Sequence, residues 1–261
     1  MTELDRRDGT QTLDAFLGGQ ITLAQPSSGY RAGLDAVFLA AAAPCQPGVA
    51  CRVLDVGAGV GTVGLCVAAR CRDAHVTLLE RESALAAMAA GNVARNGLGD
   101  RVRVVMTSVG ASADDLAAHG LRPDSFDHVL ANPPYHAQGR GTPAPDALKA
   151  ASHAMPEAAL DDWLRFLARM VKPGGTATVV HKAQALPELL AAFGPRFGAL
   201  RVLPLYPRGG EIANRVIVQA LKGSRAPLEL LPGFVLHTAA GAFTPAAQAV
   251  LREAADVGMR D

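Results

Sequence analysis

The sequence predicts an α/β fold: a doubly wound sheet, mostly parallel with an antiparallel C-terminal strand, and helices on both faces. Three observations carry this. Short apolar runs of strand length alternate with apolar stretches at helical spacing from residue 52 to residue 193. A glycine-rich turn, Gly57-Ala58-Gly59-Val60-Gly61, follows the first of those strands and opens a helix. Two late apolar runs, 200–206 and 215–221, are joined by Pro207-Arg208-Gly209-Gly210, a pattern that suits antiparallel neighbours.

Residues 1–10 read as a loose polar tail, with no apolar stretch that would suit a secretory signal. Residues 15–25 hold two short apolar runs around Gly18-Gly19, a hairpin signal. An apolar helix follows over 34–43, with Asp35 in its first turn and Pro44 stopping it. Strands are then expected at 52–56, 75–80, 102–106 and 126–131, and helices at 60–70, 83–96 and 113–119. Residues 136–156, rich in Gly, Pro and Ala, form a long connection of the kind that serves as a lid. An amphipathic helix over 157–171 containing Trp163, which suits packing, stops before a Pro173-Gly174-Gly175 turn into a strand at 176–181. Helices over 186–193 and 245–255 complete the pattern.

The composition is that of a globular protein: 49% hydrophobic and 19% charged, which excludes wholesale disorder. No apolar run approaches the roughly 18 residues that would span a bilayer. Cys45, Cys51, Cys66 and Cys71 match no zinc-ligand spacing, and buried thiols in a reducing cytoplasm are expected; no metal is expected. Net charge is only +1, yet residues 165–225 hold ten basic residues against Glu188 and Glu211. That local excess suits either a phosphate backbone or a solvated basic surface.

Two stretches carry chemistry. In Asp55-Val56-Gly57-Ala58-Gly59-Val60-Gly61 the glycines let backbone approach a ligand, at the place where an open α/β sheet binds one. Glu80, 25 residues after Asp55, ends the second strand, where a carboxylate can take two ribose hydroxyls. An acid ahead of the glycines would repel a diphosphate and attract an ammonium, which favours S-adenosylmethionine over a dinucleotide. Asp55 also suits a second role, capping the turn. The other stretch is Asn132-Pro133-Pro134-Tyr135 at the end of the fourth strand. Two prolines stiffen the corner and hold Asn132 extended. Asn132 Oδ1 and the Pro133 carbonyl could each accept a hydrogen of a planar amine while Tyr135 stacks on its plane. A Pro-Pro turn with a capping Asn would look the same.

Together, the stretch from Val53 to Gly61, Glu80 and Asn132-Pro133-Pro134-Tyr135 resemble the Rossmann-like S-adenosylmethionine-dependent methyltransferases that modify exocyclic or amide nitrogens. Gln25-Pro26 and the block from Gly29 to Ala40, Ala151-Ser152-His153-Ala154-Met155, Leu221 to Arg225, and Phe243-Thr244-Pro245 are similar to the tRNA(Val) anticodon-loop adenine-N6 methyltransferase family. The resemblance implies an N-terminal extension (1–48), an S-adenosylmethionine-dependent methyltransferase domain (49–225) and a C-terminal tail packed on it (226–261). It implies Asp55, Gly57 and Gly59 on the methionine side of the cofactor, Glu80 on the ribose, and Arg31 and Asp35 nearby. Asn132, Pro133 and Tyr135 would hold the target amine. After the third strand such enzymes place an acid against the cofactor's adenine; here Ser108 stands in that stretch. The implied reaction is methylation of adenine N6 in tRNA, with RNA held by the basic stretch 165–225. A protein glutamine-N5 methyltransferase and an rRNA or DNA amino-methyltransferase use the same corner.

Overall fold

The computed structural model describes residues 11–28, 31–134 and 158–259. Five parallel strands form its frame: β3 (Cys51–Val56), β4 (Ala74–Glu80), β5 (Val102–Met106), β6 (Phe126–Ala131) and β7 (Val171–Lys182). They lie in the order β7-β6-β3-β4-β5. The chain winds outward from β3 to β5, then returns to β6 on the other side of β3. That reversal creates a crevice at the carboxyl ends of β3 and β6, where open sheets of this kind bind ligands.

Strand alternation sends Val53 to one face and Leu54 and Val56 to the other, all fully buried. The first face packs on helices α1 (Leu34–Ala41), α2 (Thr62–Arg70) and α3 (Ser83–Arg95), through Phe38, Leu39, Leu65 and Val67 among others. The second packs on α4 (Ala113–Ala118), α5 (Ala158–Met170) and α6 (Leu186–Phe193), through Leu116, Leu164, Leu167 and Phe193. Helices on both faces explain why the parallel strands are mostly apolar on both sides of the sheet.

Beyond β7 the sheet turns antiparallel. Strand β9 (Arg215–Lys222) pairs antiparallel with β7, and β8 (Phe197–Arg208) antiparallel with β9. Two short strands, β10 (Glu229–Leu230) and β11 (Phe234–His237), then pair parallel with β8. A last helix, α7 (Pro245–Arg252), is capped by the Thr244 hydroxyl, which accepts from Ala247 N.

The N-terminal hairpin, β1 (Gln11–Phe16) and β2 (Ile21–Pro26), forms a separate two-stranded sheet. Its turn passes so close to α7 that a Cβ on Gly18 would sit 2.6 Å from the Arg252 carbonyl oxygen. Two asparagines four residues apart on α3 hold β2. Asn92 Oδ1 accepts from Ala24 N (2.7 Å) and its amide donates to Ala24 O (3.0 Å). Asn96 treats Thr22 N and O the same way, both at 2.9 Å. Helix spacing of four residues, about 6 Å, matches two residues of strand, about 6.8 Å.

Three expectations are corrected. Pro173-Gly174-Gly175 is no turn before a strand. It lies inside β7, where the register with β6 jumps from Phe126↔Val171 to His128↔Thr176. Gly174 takes φ of +77°, and a Cβ on Gly175 would meet the Asp127 carbonyl oxygen at 2.6 Å, so the glycines serve an irregularity pressed against β6. Helix α2 begins at Thr62 because Gly61 is left-handed (φ +91°). Helix α7 ends at Arg252, and Ala254 just beyond it takes φ of +59°.

The ten basic residues of 165–225 do not form one basic surface. Among the described residues seven are in ion pairs: Arg165 with Asp161 and Asp162, Lys172 with Asp127, Arg196 with Asp161, Arg201 with Glu229, Arg208 with Glu211, Arg215 with Asp35 and Lys222 with Asp124. Of those acids only Glu211 lies inside the stretch, so counting charge along the chain misses the rest. Lys172 and Lys222 lie at the amino-end side of the parallel strands, whereas Lys182 and Arg215 face each other at the carboxyl-end side.

Candidate active site

The register of β3 and β6 builds the site. Val56 pairs with Ala131, so Gly57 and Asn132 leave neighbouring strands side by side, about 4.8 Å apart across the sheet. Asn132 is half-buried and Pro133 buried. The glycine turn is fixed from behind: Gly57 N and Ala58 N both donate to Leu79 O of β4, at 2.8 and 2.9 Å.

Each glycine has a different neighbour. A Cβ on Gly64 would strike Leu78 Cδ2 at 2.2 Å, so it serves the packing of α2 on β4. One on Gly61 would meet Leu78 Cδ1 at 2.9 Å. Gly59 differs: φ is +56° and nothing lies within 4 Å of the added atom, so its backbone faces open space. That is the point of the turn where a ligand could approach the backbone. Gly57 (φ +69°) faces Trp163 of α5, whose Cη2 would lie 2.5 Å from an added Cβ. Trp163, read from sequence as packing, thus stands over the glycine turn next to the Asn132 corner. Amphipathic spacing found its helix, but only the fold reveals what the ring covers.

Glu80 is buried at the tip of β4. Its Oε2 accepts from Gly59 N (2.8 Å), and Oε1 from Arg81 N (2.8 Å) and Glu82 N (2.9 Å). One of the carboxylate's four acceptor positions remains, on the oxygen facing Gly59. Asp55 is more deeply set, at 1% exposure, with Oδ2 accepting from Gly64 N at 2.9 Å. Burial pushes its carboxyl up to about 7, against the pull of the Gly64 hydrogen bond. In this structure Asp55 fastens the start of α2 to β3. The Thr62 hydroxyl, buried at the first residue of α2, has no hydrogen-bond partner among the described residues.

The remaining sequence-derived residues lie further out. Ser108 follows the carboxyl end of β5, one strand beyond Glu80, and its carbonyl accepts from Ala111 N at 3.1 Å. Asp35, in the first turn of α1, binds Arg215 Nε at 2.9 Å at the carboxyl-end side of the sheet. Arg31 is held on the hairpin by Asp14 Oδ2 at 2.7 Å. Tyr135 and the 136–156 lid lie outside the described residues. His181, beyond the Val179 that pairs with Ala131, is 8% exposed, and burial pulls its imidazole down to about 4, so it is neutral at physiological pH.

A family model for the methyltransferase small domain matches residues 36–188, more than half of the chain. The chain belongs to that family. Among similar curated proteins is a tRNA1(Val) (adenine(37)-N6)-methyltransferase of Bacteroides thetaiotaomicron, 33% identical over 201 residues that cover 76% of this chain and 80% of the relative. A protein of the same name from Bacteroides fragilis is 29% identical over 62% of this chain and 64% of its own length. The crystal structure of a predicted O-methyltransferase from Agrobacterium tumefaciens superposes with a TM-score of 0.69 at 33% identity, over 83% of this chain and 94% of that one. A geranyl diphosphate C-methyltransferase of Streptomyces coelicolor, solved with S-adenosyl-L-homocysteine, shares the fold alone, at a TM-score of 0.51 and 13% identity.

As a methyltransferase of this family, the chain takes its methyl group from S-adenosylmethionine. The residues present fit that cofactor: an open glycine backbone at Gly59, an acceptor position left on Glu80, and no diphosphate-binding arrangement ahead of α2, where Asp55 stands instead. No helix among the described residues is long and apolar enough to cross a membrane.

Proposed function

We propose that this methyltransferase acts on an exocyclic amino nitrogen, adenine N6 of a tRNA, with Asn132, Pro133 and Tyr135 holding the amine. The observation that carries the reading is the Val56↔Ala131 register, which sets the Asn132 corner beside the glycine turn at the sheet's switch point. The names of the tRNA-modifying relatives support adenine as the acceptor.

The bound cofactor supplies an activated methyl on a sulfonium. The chain supplies alignment. Asn132 Oδ1 and the Pro133 carbonyl accept the two amino hydrogens, which favours a pyramidal nitrogen and stabilises the positive charge that develops on it. An acceptor pair suits an amine that must lose electron delocalisation into its ring; a hydroxyl acceptor would call for a base instead. His181 remains neutral close to this edge, so it adds no repelling charge. Glu80 takes a ribose hydroxyl and Asp55 faces the ammonium end. Ser108 serves the adenine side as a neutral hydrogen-bonding group, with Asp35 and Arg31 shaping the rim.

The tRNA is bound in the cytoplasm through the carboxyl-end cations, Lys182, Arg208 and Arg215, rather than through the whole basic stretch. The target base is turned out of a single-stranded loop to reach Tyr135.

The test is transfer of labelled methyl from S-adenosylmethionine into total tRNA, with a protein lysate and genomic DNA alongside. N6-methyladenosine in digested tRNA is expected, with Asn132→Ala losing at least about a hundredfold in single-turnover rate while cofactor affinity stays within a few-fold. Label in protein would promote the glutamine-N5 reading. Wild-type turnover by Asn132→Ala would remove the role given to the corner.

A further inference from the structure

Spacing along the chain gave the four cysteines no common purpose, yet folding gathers three of them. Cys45 lies in the loop after α1, Cys51 opens β3, and Cys71 caps the last turn of α2. All three thus come to the amino end of β3, the opposite end from the glycine turn. Sγ of Cys45 and Sγ of Cys51 are 3.4 Å apart, and none of the four cysteines is in a disulfide. The Cys71 thiol is a second hydrogen-bonding neighbour of Cys45. His128 completes the group from β6. It pairs with Val53, so its side chain shares a face of the sheet with those of Val53 and Cys51. One ligand atom each from Cys45, Cys51 and His128 all lie within 4.8 Å of one another.

These residues are set as metal ligands are. Zinc bonded to two thiolates at about 2.3 Å in tetrahedral geometry places the sulfurs about 3.8 Å apart, so the Cys45–Cys51 pair needs to open by only about 0.4 Å. His128 Nδ1 lies 2.9 Å from Thr176 Oγ1 on β7, which orients the ring. Metal-bound histidines are commonly fixed by a second partner of this kind. The short contact puts Cys45 and Cys51 where one cation can bond both sulfurs. Cys66, by contrast, is fully buried on α2 and pushed up to about 12 by that burial, so it is an inert core thiol.

We propose that Cys45, Cys51 and His128, with Cys71 next to Cys45 as the nearest further sulfur, form a structural site for a thiophilic divalent cation, zinc by its ligand set, that staples the loop after α1 and the end of α2 to β3 and β6. Soft sulfur donors with one imidazole select zinc over magnesium or calcium. The site is remote from the methyl-transfer corner, so it needs no part in the reaction. Metal binding would be coupled to proton release from the thiols and to stability of the sheet's amino end.

The experiment is titration of the reduced full chain with Co2+, read by visible absorption, followed by displacement with Zn2+. One equivalent with tetrahedral thiolate bands, displaced by Zn2+, is the expected result. Cys51→Ser and His128→Gln should each weaken binding by at least about tenfold, and Thr176→Val, which keeps every ligand, by about 10- to 100-fold. Circular dichroism of the variants without metal separates a lost ligand from a lost fold. Should Cys51→Ser fail to fold, the Thr176→Val and wild-type titrations still decide the matter. A reduced wild-type chain that takes up no Co2+ overturns the proposal. So does binding that the Cys51→Ser and Thr176→Val substitutions leave unchanged, or oxidation to a Cys45–Cys51 disulfide in a chain that retains no metal when reduced.

Discussion

Gly57 and Trp163 make a prediction that can be worked through. Gly57→Ala meets two separate obstacles. At φ of +69° any L residue is strained, at about 1–2 kcal/mol. Its Cβ would also sit 2.5 Å from Trp163 Cη2 and 3.2 Å from Cζ3, and forcing packed groups apart costs about 1–3 kcal/mol. The single variant should thus lose about 2–5 kcal/mol of unfolding free energy, a large part of a typical domain's 5–15. Trp163→Leu removes the ring edge that blocks the new methyl but leaves the backbone strain in place. In the double variant the alanine should therefore cost only about 1–2 kcal/mol, giving a coupling of about 1–3 kcal/mol in a double-mutant cycle. Urea unfolding followed by far-ultraviolet circular dichroism suits all four proteins. The fluorescence of Trp163, the one tryptophan of the chain, serves only the two that keep it. In the wild type the same signal should shift when S-adenosylmethionine binds. A coupling below about 0.5 kcal/mol would show that the indole does not press on the turn, and the assignment of Trp163 to the wall of the site would fall.

Asp55→Asn keeps an acceptor for Gly64 N but cannot ionise. A carboxyl raised from 3.8 to about 7 binds its proton more tightly in the folded state, so it destabilises the fold increasingly as pH rises from 4 to 7. Stability of the variant relative to wild type should thus improve by on the order of 4 kcal/mol between pH 4 and pH 8 in chemical unfolding. A flat difference would refute it. His181, with its pKa lowered, works the other way by losing stability as pH falls from 6.5 to 4, and it cancels in that comparison. Asn92→Ala orphans the backbone groups of Ala24 and the Val60 carbonyl, costing about 2–4 kcal/mol and speeding hydrogen exchange at the Ala24 amide. Unchanged protection there would count against the anchor. In RNA binding, Lys182→Ala should lower the slope of log affinity on log salt by about 0.7 while Lys172→Ala leaves it alone. Equal effects would restore the basic stretch as one surface.

What the sequence made legible was whatever is set by neighbours along the chain. Strands β5 and β6 and helix α6 fall where periodicity put them, because turn residues bound each and most of their apolar positions are buried, Met106 at the open end of β5 excepted. That the Gly57 turn, Glu80 and Asn132 come together was legible too, since strand ends at a switch point gather whatever they carry. Glycine freedom looks alike in a turn and in a bulge, and so Pro173-Gly174-Gly175 misled. Charge counting failed over 165–225 because Asp35, Asp124 and Asp127 come from elsewhere in the chain. The pairing of β10 and β11 onto β8 left no mark in two- and four-residue strands. The thiol cluster was hidden for the same reason as the charges: its fourth member, His128, is 57 residues beyond Cys71.

The asparagine pair on α3 has a consequence for the order in which the chain is made. The hairpin leaves the ribosome before its two amide partners, which follow 68 and 74 residues later. An isolated two-stranded hairpin is marginal in water. The hairpin must therefore wait, unsecured, until β3, α2, β4 and α3 exist to receive it. Contacts of such long separation form late and slow folding. When they do form, the Asn92 amide closes on Ala24 O and Val60 O together, so the hairpin locks in the same event that sets the glycine turn. A segment made before the sheet is thus finished after it, and its docking marks a glycine turn already held in place.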